Sequence, residues 1–224
     1  MKLINFKNEA KNNPLAPEWN YFMFETFIEN INLKNLSKYL LKKEKDILKL
    51  QPSKDINNNL TDGYTGLGFK SVTSKFKNYN LFTFKNKEID KLKKEIIKKH
   101  NLFIQTLGLE LPKTLYGQCW YNILRKNEEI KIHSHGFHPD IYLGGHFCVQ
   151  TKDTSTFFVA SINQINEPNV YESKNENNKL NLFQNFIPHY TNKNNYSIPR
   201  ITIAFDLSLI KSNQNFSVLY EHSS

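Results

Sequence analysis

Apolar side chains recur three and four apart between positions 33 and 48. Leu33, Leu36, Tyr39, Leu40, Ile47 and Leu48 fall mostly on one face of a 3.6-residue helix, with lysines filling the other face. Asn32 stands where an N-cap is needed and Pro52 ends the run, so the pattern predicts a helix over about 33–50. A second stripe of the same period covers 86–109 through Ile89, Leu92, Ile96, Ile97 and Phe103, with Gly108 as its stop. His100 falls at the polar end of that helix and is expected to be exposed. Ahead of the helices, "YFMFETFI" (21–28) reads as a short strand, and residues 1–20, with Pro14 and Pro17, as a loose arm. The stretch 51–80 is a long, polar, glycine-bearing connection. Its "TGLGF" lacks the Lys-Ser/Thr of a phosphate-binding loop and does not match GxGxxG, so it reads as turn chemistry.

From about 115 the period shortens. "LYGQCWYNILR", "EIKIHSH", "GGHFCVQ", "TSTFFVAS", "KLNLFQN", "IPHYT" and "RITIAFDLSLI" are short, β-rich and separated by Asn, Gly, Pro or charged residues, as in a sandwich or barrel. The fold class is therefore α+β, two helices followed by an all-β half. Two amphipathic helices need a sheet to cover their apolar faces, so the change of pattern near 112 is not a domain boundary. Residues 1–224 are expected to form one domain, with 1–112 giving helical support and a long loop and 113–211 the β core.

Composition narrows the class. Hydrophobic residues make up 39% and aromatics 13%, enough for a packed core and too much for a disordered chain. No apolar run approaches the ~20 residues of a membrane helix, and the N-terminus has no long apolar stretch with a cleavage site; a soluble cytoplasmic protein without a membrane partner is expected. Cys119 and Cys148 lie too far apart for a CxxC motif and sit in apolar segments, which suits buried free thiols in a reducing compartment. The net charge of +9 allows a nucleic-acid partner but does not favour one, because the lysines are spread along helices and interleaved with acids.

Against thirty basic residues there are only two arginines, Arg125 and Arg200. Arg200 opens the strongest β segment. In "RITIAFDL" alternation puts Arg200, Thr202, Ala204 and Asp206 on one face and Ile201, Ile203, Phe205 and Leu207 on the other. Arg200 and Thr202 can then grip one anion, a planar fork plus a hydroxyl that lysine would not reproduce. The plainer reading is an edge-strand arginine paired with a surface carboxylate.

"KIHSHGFHPD" (131–140) gathers His133, His135, His138 and Asp140. If "KIHSH" is a strand, His133 and His135 share a face, an arrangement that suits a metal with imidazole ligands; the plainer reading is a polar surface loop. His189 follows a proline at the start of another strand. His146, in "GGHFCVQ", is expected to be packed or to support the site, and His222, in the tail, to be inert.

The order H-x-H, strands, a distal His, then Arg-x-Thr resembles the 2-oxoglutarate/iron(II)-dependent oxygenase superfamily, and within it oxygenases found in phages and marine bacteria. "CWYNILRKNEEIKIHSH", "YLGGHFCVQ", "LFQNFIPHYT" and "IPRITIAFDLS" carry the likeness, over roughly 117–209. The resemblance implies a double-stranded β-helix (jelly-roll) core, with the N-terminal helices as its support. It implies iron(II) on His133 and His189, and 2-oxoglutarate on Arg200 and Thr202, with Asn122 and Tyr142 as further residues reaching the co-substrate. The family's usual third ligand is a carboxylate two residues after the first His, where this chain has His135. Either His135 completes a three-His site or Asp140 swings in. His135 is favoured, because i+2 geometry is direct on a strand while Asp140 needs a chain reversal after Gly136. His138 would sit on a loop over the site. The implied activity is an O2- and 2-oxoglutarate-dependent oxygenase, a hydroxylase of unspecified substrate releasing succinate and CO2. The alternative is a non-catalytic cupin-like metal-binding barrel or a virion-associated β-barrel.

Overall fold

The chain opens with a strand, β1 (Lys2–Asn8), which pairs antiparallel with β2 (Trp19–Phe27). The computed structural model describes residues 1–9, 14–15, 18–135, 141–159, 170–211 and 214–221. The expected loose arm is thus in part an edge strand. Its signal was thin because only Ile4 and Phe6 alternate inward, packing with Tyr21 and Met23 in a smaller core that also holds Phe158 and Phe183.

The helices follow as α1 (Leu33–Leu48) and α2 (Lys87–Thr106). The Asn32 side chain accepts from the Asn35 amide, as a cap should, and Asn86 caps α2 by accepting from Glu88 and Ile89. Gly108 takes φ +70°, the left-handed stop. His100 is fully buried, against expectation: Nδ1 bonds Asn101 Oδ1 and Nε2 bonds the Tyr142 hydroxyl. A polar partner on the sheet lets a polar ring sit on the buried face, which periodicity cannot foresee.

The connection between the helices holds a two-stranded hairpin, β3 (Ser53–Lys54) with β4 (Leu60–Thr61), and two 3₁₀ turns, Thr73–Lys75 and Leu81–Thr83. Gly63, Gly66 and Gly68 all take positive φ, as turn chemistry requires. Asn80 pins the connection to the sheet. Its Nδ2 donates to the carbonyls of Gly117 and Asn215, and its Oδ1 accepts from the Cys119 amide.

The remaining strands are β5 (Thr114–Leu124), β6 (Ile141–Gln150), β7 (Ser155–Val159), β8 (Val170–Lys174), β9 (Lys179–Gln184), β10 (His189–Thr191), β11 (Arg200–Ser208) and β12 (Ser217–Glu221). Seven strands form one antiparallel sheet in the order β1-β2-β9-β6-β11-β5-β12, and β10-β7-β8 form a second. The β structure is therefore not confined to 113–211: β1, β2 and β12 complete the large sheet. "KIHSH" is not a regular strand. It makes a single bridge, His133 to His189, along the edge of the small sheet.

The alternation read from "RITIAFDL" decides the layering. Ile201, Ile203, Phe205 and Leu207 join Leu36, Leu40, Leu92, Ile96 and Phe103 in one core between helices and large sheet. Arg200, Thr202, Ala204 and Asp206 line a cavity on the other side, facing the small sheet. All nine residues of β11 are buried, since both its faces are covered. No helix among the described residues is long and apolar enough to cross a membrane, and Cys119 and Cys148 are buried free thiols.

Candidate metal centre and anion pocket

His133 and His189 are tied backbone to backbone. The His133 amide donates to the His189 carbonyl at 3.0 Å, and the His189 amide returns the bond at 2.9 Å. Two residues on, the His135 amide donates to the Asn185 carbonyl at 2.9 Å. The 131–135 segment thus lies extended along the small sheet even without a full ladder, and i, i+2 spacing still puts both rings on one side. Ring centroids lie 5.6 Å apart for His133–His135, 4.4 Å for His133–His189 and 5.1 Å for His135–His189. One ring nitrogen from each can be chosen so that all three lie within 4.8 Å of one another.

The Nδ1 atoms all face acceptors: Lys131 O at 2.9 Å for His133, Ile187 O at 3.0 Å for His189, and Asp206 Oδ1 at 2.6 Å for His135. Such partners fix the hydrogen on Nδ1 and leave each Nε2 lone pair for a ligand. Burial, then the neighbouring His135, holds the His133 pKa down to about 4. Burial and the adjacent imidazoles hold His189 well below its usual value. Both rings are therefore neutral at pH 7, the form that binds metal.

Gly144 makes room for this cluster. A Cβ there would fall 2.9 Å from His135 Nδ1 and 2.9 Å from Phe183 Cε2, so no side chain fits without movement.

The same cavity, of about 570 Å³, reaches Arg200. Its side chain is 3% exposed, and Nη2 donates to Thr156 Oγ1 at 3.2 Å. Nε and Nη1 are buried without a partner among the described residues. Burial lowers the guanidinium pKa only to about 10, so it remains a cation at pH 7. Leaving buried donors unmatched costs roughly 1–3 kcal/mol, more when charged, so the pair calls for an anion. Beside it a chain of hydroxyls and amide points the same way. Thr73 Oγ1 donates to Asn122 Oδ1 at 2.9 Å, and Asn122 Nδ2 donates to Thr202 Oγ1 at 3.3 Å. Thr202 therefore keeps its own hydrogen to give away. His146 lines the cavity too, accepting from Asn181 Nδ2 at 3.1 Å; burial and then Arg200 push its pKa down to about 3.

Of the residues singled out in the sequence, His133, His135, His189, Arg200, Thr202 and Asn122 line this one cavity. Tyr142 does not. It lies on the helix side, bonded to His100. The cause is a register shift: Leu207 pairs with Leu143 but Ser208 with Ile141, so Tyr142 is the extra residue of a bulge and leaves the alternation that carries Gly144 and His146. Asp140, His138 and His222 lie outside the described residues. The sequence reading missed Thr73, Thr156 and Gly144, which carry no local signal. It placed Asp206 on the right face, but its pairing with His135 bridges two distant segments.

No family model matches the sequence, and no curated protein matches it. Solved structures do. A prolyl-4-hydroxylase of Pseudomonas putida superposes with a TM-score of 0.56 at 9% identity, over 83% of this chain and 92% of that one. AviO1 of Streptomyces viridochromogenes Tue57 gives 0.53 at 13%, over 83% and 89%. SnoK, a non-heme alpha ketoglutarate dependent carbocyclase of nogalamycin biosynthesis, gives 0.51 at 5%, over 83% and 79%. At these identities the likeness is one of fold.

Proposed function

We propose that this protein is an iron(II)- and 2-oxoglutarate-dependent oxygenase, a hydroxylase whose metal is held by His133, His135 and His189. The observation that carries the reading is the buried, half-partnered guanidinium of Arg200 in the same cavity as a cluster of three imidazoles. A metal alone has no use for that cation; a dicarboxylic co-substrate that reaches both groups does. The shared fold with a prolyl-4-hydroxylase and an alpha ketoglutarate dependent carbocyclase supports it. On this reading residues 1–224 are one domain, a double-stranded β-helix with α1 and α2 behind its large sheet. Its buried free thiols suit the cytoplasm.

The donor set fits the implied groups. Imidazole suits iron, and three histidines leave coordination positions open. Arg200 would take the distal carboxylate as a fork along one edge of its guanidinium, Nη2 giving its second hydrogen together with Nε or Nη1 on the same edge, and Thr202 would add its hydroxyl. Bound iron and 2-oxoglutarate would supply O2-dependent oxidation of a C–H bond, with succinate and CO2 as co-products. The chain's own share is orientation and exclusion of water: Asn122 aims Thr202, Thr156 steadies Arg200, and Trp120, Phe183 and Ile130 wall the cavity.

The test is anaerobic addition of iron(II) and then 2-oxoglutarate to the metal-free protein. A visible charge-transfer band that needs both is expected. Tight metal binding with no band and no 2-oxoglutarate affinity would leave a cupin-like or virion-associated metal-binding barrel instead. The substrate would then be sought by succinate release against fractionated cell extract.

A further inference from the structure

The three ring cradles are not alike. His133 and His189 donate from Nδ1 to backbone carbonyls, whereas His135 meets a carboxylate, Asp206 Oδ1, at 2.6 Å. Both partners of that pair are largely buried, with side-chain exposures of 7% for His135 and 11% for Asp206. Asp206 shares β11 and its cavity face with Arg200, so one strand carries both groups to the site. The His135 ring is also boxed in by Trp120 and Phe183, each 5.6 Å away between centroids, and by the side-chain-free Gly144.

We propose that Asp206 is a positioning residue for the metal centre: it holds His135 with its hydrogen on Nδ1 and supplies, one hydrogen bond removed, the negative charge that an all-imidazole ligand set lacks. This rests on the metal reading of the three histidines. Three neutral ligands leave the full charge of a divalent ion uncompensated in a desolvated cavity. An imidazole that donates to a carboxylate is a more basic ligand at Nε2, and its ring plane is fixed before the ion arrives. The chain thus keeps one carboxylate in the centre while moving it behind a ring, on a different strand from the histidines. Loss of such a partner costs about 10–100-fold in metal affinity.

Cobalt(II) titration of the metal-free protein tests this without any turnover. Asp206→Ala should bind cobalt about 10–100-fold more weakly than the parent, and Asp206→Glu should recover part of the loss. Asp206→Asn is isosteric and keeps the proposal testable if the alanine variant fails to fold. Its amide oxygen can still accept from Nδ1 but carries no charge, so intermediate affinity is expected. The paramagnetically shifted, exchangeable Nδ1–H signal of His135 should move in Asp206→Asn, while those of His133 and His189 stay. Parental affinity and unchanged N–H signals in both neutral variants would make the pair a mere packing contact and overturn the proposal. So would complete loss of binding in Asp206→Ala alongside near-parental binding in His135→Ala, which would make Asp206 itself the ligand. A parent that binds no cobalt overturns the metal reading, and this inference with it; a parent that binds cobalt but not 2-oxoglutarate overturns only the oxygenase.

Discussion

Arg200 is the residue on which the functional reading turns. A buried guanidinium whose Nε and Nη1 lack partners among the described residues is costly alone and favourable with a carboxylate. Charge-assisted bonds contribute roughly 1.5–3 kcal/mol each, and ~1.4 kcal/mol is tenfold in affinity. Arg200→Ala should therefore weaken 2-oxoglutarate binding by on the order of a hundredfold or more in calorimetry of the anaerobic iron(II)-loaded protein. Arg200→Lys should rescue only part, since an ammonium cannot form the planar fork. Iron affinity should barely change in either. Parental affinity for 2-oxoglutarate in Arg200→Ala would remove the co-substrate from this pocket. The position was legible in the sequence because arginine is rare here and strand alternation is simple. That Nη2 would find Thr156 and leave Nε and Nη1 without a partner among the described residues was not, because Thr156 comes from the opposite sheet.

At the scale of an element, β6 shows how far alternation can be trusted. It holds over Gly144 and His146, which face the cavity side, and fails at Tyr142, where the bulge opposite β11 inserts one residue. A bulge depends on the partner strand's register, which the local sequence does not encode. Gly144 carries the sharper consequence. In Gly144→Ala the added methyl meets His135 Nδ1 and Phe183, both at 2.9 Å, so the ring must shift away from Asp206. We expect metal affinity to fall by about tenfold or more, the lower end of the penalty for disturbing a ligand's supporting hydrogen bond, with little change in secondary structure by circular dichroism. Equal cobalt affinity in Gly144→Ala and parent would show that the site tolerates the displacement. The helices behave differently. Their stripes, caps and stops follow from nearest-neighbour chemistry, and α1 and α2 fall within a few residues of where period and cap place them.

For the whole molecule, buried neutral histidines tie stability to pH. His133 is held at about 4 and His146 at about 3 in the folded protein, against ~6.5 in an unfolded chain. Below that value the unfolded chain binds more protons, so stability is fully present above about pH 6.5 and is lost as pH falls toward the folded values. Each group contributes a slope of about 1.4 kcal/mol per pH unit inside that window. Denaturant midpoints of the metal-free protein should therefore drop steadily from pH 7 to pH 5. Replacing His146 by Gln should flatten the slope by about one proton; a flat profile in the parent would mean that these rings are not buried neutral.

The sequence by itself determined the periods, and with them the two helices, the β-rich half and the face of β11 that holds Arg200, Thr202 and Asp206. It also marked His133, His135 and His189, because unusual residue types at i, i+2 and at a strand start are visible without a fold. Tertiary structure alone decided that residues 2–8 become an edge strand, that His100 is buried against Tyr142, and that Asp206 stands behind His135. The division has a physical cause. Helix period, caps and strand alternation are set by residues within a few positions of one another, whereas the partners of a buried polar group are fixed only when segments 42 or 71 residues apart are packed together.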